Sequence, residues 1–412
     1  MINTLPSAIP RCPHFGTCGG CQYQDLAYPE QLRIKRARLE DLLQQTSVEV
    51  PRDITLHSAE PYEYRNRIRL RIERSVSVED NESIEGTNGQ IRFGYNIRTT
   101  TEFLPITTCT IAAPILVETV EALLASADHN RDVAYWLNAT SEVELFCNHD
   151  LTRVQLTLFC APRTKTPPSS QPGNFASAFA ALQASVPQIT GAAAVAFDPR
   201  TGPTGRTLAE AGSSGLNYRV LVSPQHVSPK HDETYWITRG GFFQVNRFLL
   251  ETLVRLVTEV ADKPRSGTLA WDLYAGVGLF SRVLARSFNR ITAVEANTTA
   301  AADLRASLSK LSSNNLALES TTLDFLSRAV LDRERPDLIV LDPPRAGVGL
   351  EACELLKRIA APSVVYVSCD PATLACDLQA LQPLYRITAL HLVDLFPQTA
   401  HIETIVLLEY AK

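Results

Sequence analysis

Cysteine concentrates the chemistry of this sequence. Nine are present among 412 residues. Cys12, Cys18 and Cys21 share one Gly-rich stretch, and Cys369 stands apart in Ser368-Cys369-Asp370-Pro371. As a thiolate, cysteine is both a nucleophile and a soft metal ligand. The first group has ligand spacing: Cys12-x5-Cys18-x2-Cys21 offers three sulfurs, and a fourth ligand would close a tetrahedral zinc site or a four-iron cluster. On spacing alone zinc is favoured. Cys369 is read as a nucleophile, against the commoner fate of cysteine as a buried, inert thiol.

Carboxylates recur where short apolar runs end. One run closes as Trp271-Asp272-Leu273-Tyr274-Ala275-Gly276-Val277-Gly278, and its glycines let the backbone turn tightly beside a ligand. Ser281 stands where a pyrophosphate fingerprint has its third glycine. Asp272 at the mouth of the turn would repel a pyrophosphate and welcome an ammonium group. Both details favour a methyl donor built on methionine over a nicotinamide dinucleotide. Glu295 ends the next run, the place for a carboxylate that binds ribose hydroxyls. Asp342, in Leu341-Asp342-Pro343-Pro344-Arg345, ends a third, stiffened by its prolines.

A nucleophile of this kind needs a base, and His401 and Glu403 are the candidates. Glu403 opens the apolar run 404–408, where partial burial would raise its pKa. Carbon 5 of uracil is a centre that demands such a set. It is too weak a nucleophile to take a methyl group until a thiolate adds to carbon 6. The adduct then keeps a proton at carbon 5, which a separate base must remove before the thiol leaves.

These residues must be held by an ordered framework. After Trp236 a helix over about 243–261 leads into short apolar strands at 268–273, 291–295, 337–341, 364–368 and 403–409, separated by helical stretches. That alternation implies an α/β, mostly parallel, doubly wound sheet, which binds ligands at the carboxyl ends of its strands. Cys369, Asp272, Glu295 and Asp342 all fall at that edge. Upstream, a helix over 29–44 puts Leu32, Leu39, Leu42 and Leu43 near one face and Arg33, Lys35, Arg36 and Arg38 elsewhere. Between Pro61 and Trp236 the pattern is mostly short strands: 67–74, 91–95, 142–147 and 152–160, with loops at 79–90, 161–174 and 198–215.

The 67–74 strand alternates strictly, with Ile68, Leu70 and Ile72 on one face. Arg65, Arg67, Arg69 and Arg71 make a linear positive stripe suited to a phosphate backbone, with Phe93 and Tyr95 available for stacking on unpaired bases. The formal net charge is −5, so nucleic acid would be held locally rather than by a global field. Length implies two or three domains. The first ten residues lack the pattern of a signal peptide, so none is expected, and no membrane-length apolar run or solenoid repeat is found. The expected setting is the cytoplasm, where the cysteines are not disulfides.

The separated motifs together resemble the bacterial RNA uracil-5 methyltransferases of ribosomal and transfer RNA. They are Cys12-Pro13 through Cys18-Gly19-Gly20-Cys21, Tyr64-Arg65-Asn66-Arg67, Gly241-Phe242-Phe243-Gln244-Val245-Asn246, Asp272 to Gly278, Asp342-Pro343-Pro344-Arg345, Ser368-Cys369-Asp370-Pro371 and Phe396-Pro397 to Glu403. The resemblance implies Cys369 as nucleophile and Glu403 rather than His401 as base. It implies Gln244, Tyr274, Glu295 and Asp342 as ligands of S-adenosylmethionine, beside Asp272, Gly276 and Gly278. It replaces zinc by a [4Fe-4S] cluster on Cys12, Cys18, Cys21 and Cys109, leaving Cys147, Cys160, Cys353 and Cys376 as core residues or bystanders. The implied layout is an N-terminal iron–sulfur segment (1–60), a central antiparallel β-rich RNA-binding domain (61–235) and a C-terminal Rossmann-like class I methyltransferase domain (236–412). An N-terminal RNA-binding barrel carried by some relatives is expected to be absent. The expected substrate is 23S rRNA, with the T-loop uridine of tRNA as the alternative, and no obligate protein partner is expected. Asp370, Ala275, Leu279 and Cys376 depart from the residues usual in that family. An iron–sulfur redox protein using a nicotinamide is the rival reading, disfavoured by the missing third glycine and by the Cys369/Glu403 pair.

Overall fold

The computed structural model describes residues 7–74, 91–161, 173–198, 202–222, 232–260 and 263–411. The chain forms two compact units that do not follow sequence order. One comprises 26–61 and 217–412 with the first residues of the chain, and the other 8–25 and 62–216.

The first unit is built on an eight-stranded sheet in the order Ile54–His57, Tyr385–Val393, Glu403–Tyr410, Ser363–Ser368, Leu338–Leu341, Gly267–Leu273, Phe288–Glu295 and Leu316–Glu319. Every pairing is parallel except the two made by Glu403–Tyr410. The expected doubly wound sheet is present, and each of its five anticipated strands is found within a few residues. Three were not anticipated: Ile54–His57, Leu316–Glu319 and Tyr385–Val393. Alternate residues such as Leu269, Trp271, Leu273, Ile339, Leu341, Val364 and Tyr366 share one core with the helices Tyr28–Gln45, Thr322–Asp332, Leu350–Ile359 and Pro371–Leu381. The intervening Ala270, Val340 and Val365 are buried as well, as strands covered on both faces require.

Two helix expectations are corrected here. The helix expected over 243–261 runs only Leu250–Thr258, because Asn246 Oδ1 accepts from the amides of Phe248 and Leu249 and turns the chain first. Helix Tyr28–Gln45 buries Gln31, Lys35, Leu39 and Leu43, one residue in every four. Lys35, expected on the other face, is in the core because Asp394 pairs with it there.

The second unit carries a seven-stranded sheet in the order Phe103–Pro105, Ile91–Asn96, Arg67–Arg74, Thr140–Cys147, Val154–Cys160, Ile189–Asp198 and Gly202–Gly212. All pairs are antiparallel save Val154–Cys160 with Ile189–Asp198. The helix Phe175–Ser185 lies between those two in sequence, as a parallel crossover demands. It and the unanticipated helices Pro114–His129 and Arg131–Ala139 pack on Ile68, Leu70, Val143 and Leu156 of the sheet. The loop expected over 198–215 is instead largely the edge strand Gly202–Gly212. Its described side chains are mostly exposed, so no apolar alternation marks it. The expected loop at 79–90 and most of that at 161–174 lie outside the described residues.

Candidate active site

The turn after strand Gly267–Leu273 makes demands on the backbone at three alternate residues. Tyr274 (φ 64°), Gly276 (φ 55°) and Gly278 (φ 89°) all lie in the left-handed region. A Cβ at Gly278 would come within 2.7 Å of Leu304 Cδ1, whereas one at Gly276 would meet nothing. A bulky residue held at positive φ marks stored strain, and here it falls where the strand hands over to helix Leu279–Leu284.

Asp272 is fully buried. One carboxylate oxygen accepts from the Ser281 hydroxyl, and the other, Oδ1, has no partner. Burial, with Glu295 adding repulsion, pushes Asp272 up to about 7 against the hydroxyl's opposing effect. Glu295 sits at the end of the neighbouring strand. Its oxygens accept from the Gly276 amide (2.8 Å) and the Asn297 amide (2.7 Å), so it ties the glycine turn to the next strand.

Asp342 follows strand Leu338–Leu341. Burial of its carboxyl and then the charge of Asp272 raise it to about 7, while Gln244 Nε2, donating at 3.4 Å, works the other way. Gln244 reaches it from the segment ahead of helix Leu250–Thr258 and is almost buried.

Strands Ser363–Ser368 and Glu403–Tyr410 pair antiparallel with Ser368 opposite Thr404. Cys369 and Glu403 each lie one residue beyond that last pair, and the charge of Glu403 acts on the Cys369 thiol. Cys369 is half-buried, and its thiol is pushed up to about 11 by burial, then by Glu403 and Asp342. Glu403 is 3% exposed. Burial and then Asp342 carry it well above the usual carboxylate range. Arg345 opposes the shift of both groups. His401, the other candidate base, is exposed and lies 3.5 Å from the Arg345 guanidinium. Asp370 Oδ1 caps helix Pro371–Leu381 by accepting from the amides of Ala372 and Thr373.

One edge of the sheet thus gathers Asp272, Glu295, Asp342, Cys369 and Glu403, with Gln244. Reading the sequence missed two members. Ser281, noted only as an absent glycine, is the partner of Asp272. Arg345, quoted in its motif without a role, is the cation that acts on both Cys369 and Glu403.

In the other unit, Cys12, Cys18, Cys21 and Cys109 line one cavity of about 220 Å³ together with Tyr95, Arg65, Arg67 and Arg69. Burial raises Cys21 to about 12 and lifts Cys18 and Cys109 as well. Among the described residues, no group of three or more His, Cys, Asp or Glu side chains is placed to hold a metal ion. Of the remaining cysteines, Cys147, Cys160 and Cys353 are core residues and Cys376 is exposed.

The arginine strand is not a row of free cations. Arg67 pairs with Glu144 (3.3 Å) and Arg69 with Glu142 (2.5 Å), both on the adjacent strand. Arg71 donates to Asn96 and Thr101. Arg67 and Arg69 also stack over Phe146 and Phe159. The stacking expected of Phe93 and Tyr95 on bases fails. Phe93 is 2% exposed in the core, and Tyr95 is packed on that core facing the cysteine cavity. No helix among the described residues is long and apolar enough to cross a membrane.

Known proteins place this arrangement. Residues 225–411 match the family model of tRNA (uracil-5-)-methyltransferases. An RNA methyltransferase of Nitratidesulfovibrio vulgaris is 30% identical over 433 aligned positions, covering 99% of this chain and 84% of the relative. The chain belongs to the uracil-5 RNA methyltransferase family. A second relative, an RNA methyltransferase of Aquifex aeolicus, is 29% identical, covering 97% of this chain and 83% of its own. The Pyrococcus abyssi tRNA (uracil-54, C5)-methyltransferase, solved with S-adenosyl-L-homocysteine, shares the fold with TM-score 0.67 and 22% identity, covering 95% of this chain and 86% of that one. As a member of this family the protein is an S-adenosylmethionine-dependent RNA methyltransferase whose C-terminal sheet has the class I methyltransferase fold.

Proposed function

We propose that the chain methylates carbon 5 of a uridine in 23S rRNA by covalent catalysis, with Cys369 as nucleophile and Glu403 as base. The observation that carries this is that the antiparallel pair ending at Ser368 and Thr404 brings Cys369 and Glu403 close enough for Glu403 and Asp342 to act on the thiol and Asp342 on Glu403. The thiolate adds to carbon 6 and pushes the ring's electrons to carbon 5, which takes the methyl group. The Glu403 carboxylate then removes the carbon 5 proton, and the electrons of that bond re-form the ring double bond and expel the thiolate. A carboxylate lifted by burial is the stronger base for this step. The target uracil must leave its stack to reach Cys369. The tRNA substrate named by both the family model and the Pyrococcus enzyme favours a second reading, the same reaction on a tRNA uridine.

S-adenosylmethionine, when bound, supplies an electrophilic methyl group on a sulfonium. The acid cluster suits it. Asp272 has a buried carboxylate oxygen without a partner, and the ammonium and sulfonium of this donor are the charges that would relieve crowded carboxylates. We assign its binding to Gln244, Tyr274, Glu295, Asp342 and Asp272 around the turn of Gly276 and Gly278.

For Cys12, Cys18, Cys21 and Cys109 we propose a [4Fe-4S] cluster. A cavity of about 220 Å³ exceeds the space of one ion, and four cysteines among its lining residues suit a polynuclear group. Arg65, Arg67 and Arg69 on its wall suit an anionic one. We further propose that residues 62–216 act as the RNA-binding domain of a cytoplasmic enzyme. Arg65, Arg67, Arg69 and Arg71 contribute there, Arg67 and Arg69 by exchanging their glutamate partners for phosphates and Arg69 being the most exposed.

The test is incubation of the protein, Cys369→Ala and Glu403→Gln with labelled S-adenosylmethionine and either transcribed 23S rRNA or transcribed tRNA. Wild type should label the ribosomal transcript, Cys369→Ala should label neither, and Glu403→Gln should retain RNA covalently on denaturing gels. Label on tRNA alone moves the substrate to the second reading, and label on neither refutes both.

A further inference from the structure

Much of the connection that delivers Glu403 is buried. Strands Tyr385–Val393 and Glu403–Tyr410 pair with Val393 opposite Glu403, so residues 394–402 form the turn between them. Asp394, Leu395, Gln398 and Thr399 are each at most 2% exposed. A buried loop must find partners for its backbone and charged groups from elsewhere in the fold. Here they come mainly from helix Tyr28–Gln45, more than three hundred residues away in sequence.

Lys35 donates to Asp394 Oδ1 (2.5 Å) and to the Phe396 carbonyl (2.9 Å), and the Tyr28 hydroxyl donates to Asp394 Oδ2 (2.9 Å). Gln31 and Gln398 are joined twice: Gln31 Nε2 donates to Gln398 Oε1, and the Gln398 amide donates to Gln31 Oε1. Gln398 sits at φ 67°, a conformation that needs such anchoring. Arg38 reaches the Ala400 carbonyl at 3.2 Å. From the segment carrying Gln244, Asn246 Nδ2 donates to the Leu395 carbonyl at 3.0 Å.

We infer that helix Tyr28–Gln45 is the brace that positions the base, with Lys35 and Gln31 as its positioning residues. The inference rests on Glu403 being the base. Proton removal from carbon 5 needs the carboxylate within hydrogen-bond reach, and small displacements at such a contact are costly. The thiol addition that precedes it depends on Cys369, which follows a different strand. Loosening the brace should therefore slow release of the methylated adduct more than its formation.

The experiment compares Gln31→Met, Lys35→Met and the double variant Lys35→Met/Asp394→Leu, which leaves no unpaired charge in the core. Steady-state rates, single-turnover methyl transfer to transcribed RNA and denaturing gels are read on preparations whose thermal unfolding is followed in parallel. Gln31→Met and the double variant should lose at least tenfold in kcat with little change in KM, and should accumulate covalent protein–RNA adduct. Wild-type turnover without adduct in the stably folded double variant overturns the positioning role, provided Glu403→Gln traps adduct in the same assay. If Glu403→Gln traps none, the assignment of the base falls first, and the positioning role with it.

Discussion

Raising the pH should weaken the ligand-free protein, and Asp272 sets the scale. Its carboxyl is held at about 7, against an ordinary value of 3.8, chiefly by complete burial. Below about pH 4 both folded and unfolded chains keep this proton; between about 4 and 7 only the folded chain does; above that neither does. The stability tied to the held proton is thus lost as pH rises across that window. A shift of this size corresponds to roughly 4 kcal/mol for a single carboxyl. Asp342 feels the charge of Asp272, so the two are not independent, and roughly 4 kcal/mol is the figure for Asp272 alone. Asp272→Asn removes the ionisation and can keep the Ser281 contact. The variant should melt like wild type near the low end of the window and above it near pH 8. At roughly 2–4 °C per kcal/mol, the gain should be several degrees. S-adenosylmethionine should stabilise the wild type more at the higher pH, and S-adenosylhomocysteine, lacking the sulfonium charge, by less. The variant should lose much of both effects. Calorimetry across this range decides it. A wild type whose stability is flat with pH, together with an Asn variant no more stable near pH 8, would refute the reasoning.

Three further outcomes are expected. Gly278→Ala should abolish binding of S-adenosylhomocysteine in titration calorimetry, since its Cβ would strike Leu304 at a positive φ. Gly276→Ala, with open space but a positive φ, should cost roughly 1–2 kcal/mol of stability. Cys109→Ser should lower iron and sulfide per chain in anaerobically purified protein to near zero while leaving S-adenosylhomocysteine binding intact; full iron retention would remove Cys109 from the ligand set. Glu142→Gln frees Arg69 from its ion pair, so it should tighten RNA binding by a few-fold at low salt and steepen the salt dependence. Unchanged affinity would exclude this strand from the RNA surface.

Local patterns carried much of the framework. The strands that end at Asp272, Glu295, Asp342 and Cys369 were legible because each is a short apolar run punctuated by Gly, Pro or an acid. The Arg67–Arg74 strand was legible because one face is core and the other is not. Where burial did not alternate, the pattern failed. The edge strand Gly202–Gly212 sets only the small Ala209 and Ala211 against the core, and the helices over 114–139 carry no signal that outweighed a region read as strands. Lys35 shows the same limit from the other side. A lysine is ordinarily solvated, and only the distant Asp394 makes its burial tolerable.

The amino-acid order by itself determined which groups could react: a cysteine apart from the thiol cluster in Ser368-Cys369-Asp370-Pro371, acids at strand ends and a clustered set of thiols. Those follow from residue types and short spacings, which act within a turn or two of chain. Tertiary structure decided what the groups become. The antiparallel insertion of the last strand brings Glu403 close to Cys369, burial lifts three carboxyls whose neighbours lie far apart in sequence, and a helix near the beginning of the chain braces a loop near its end. Burial and pairing are sums over everything packed nearby, and no local stretch of sequence contains that sum.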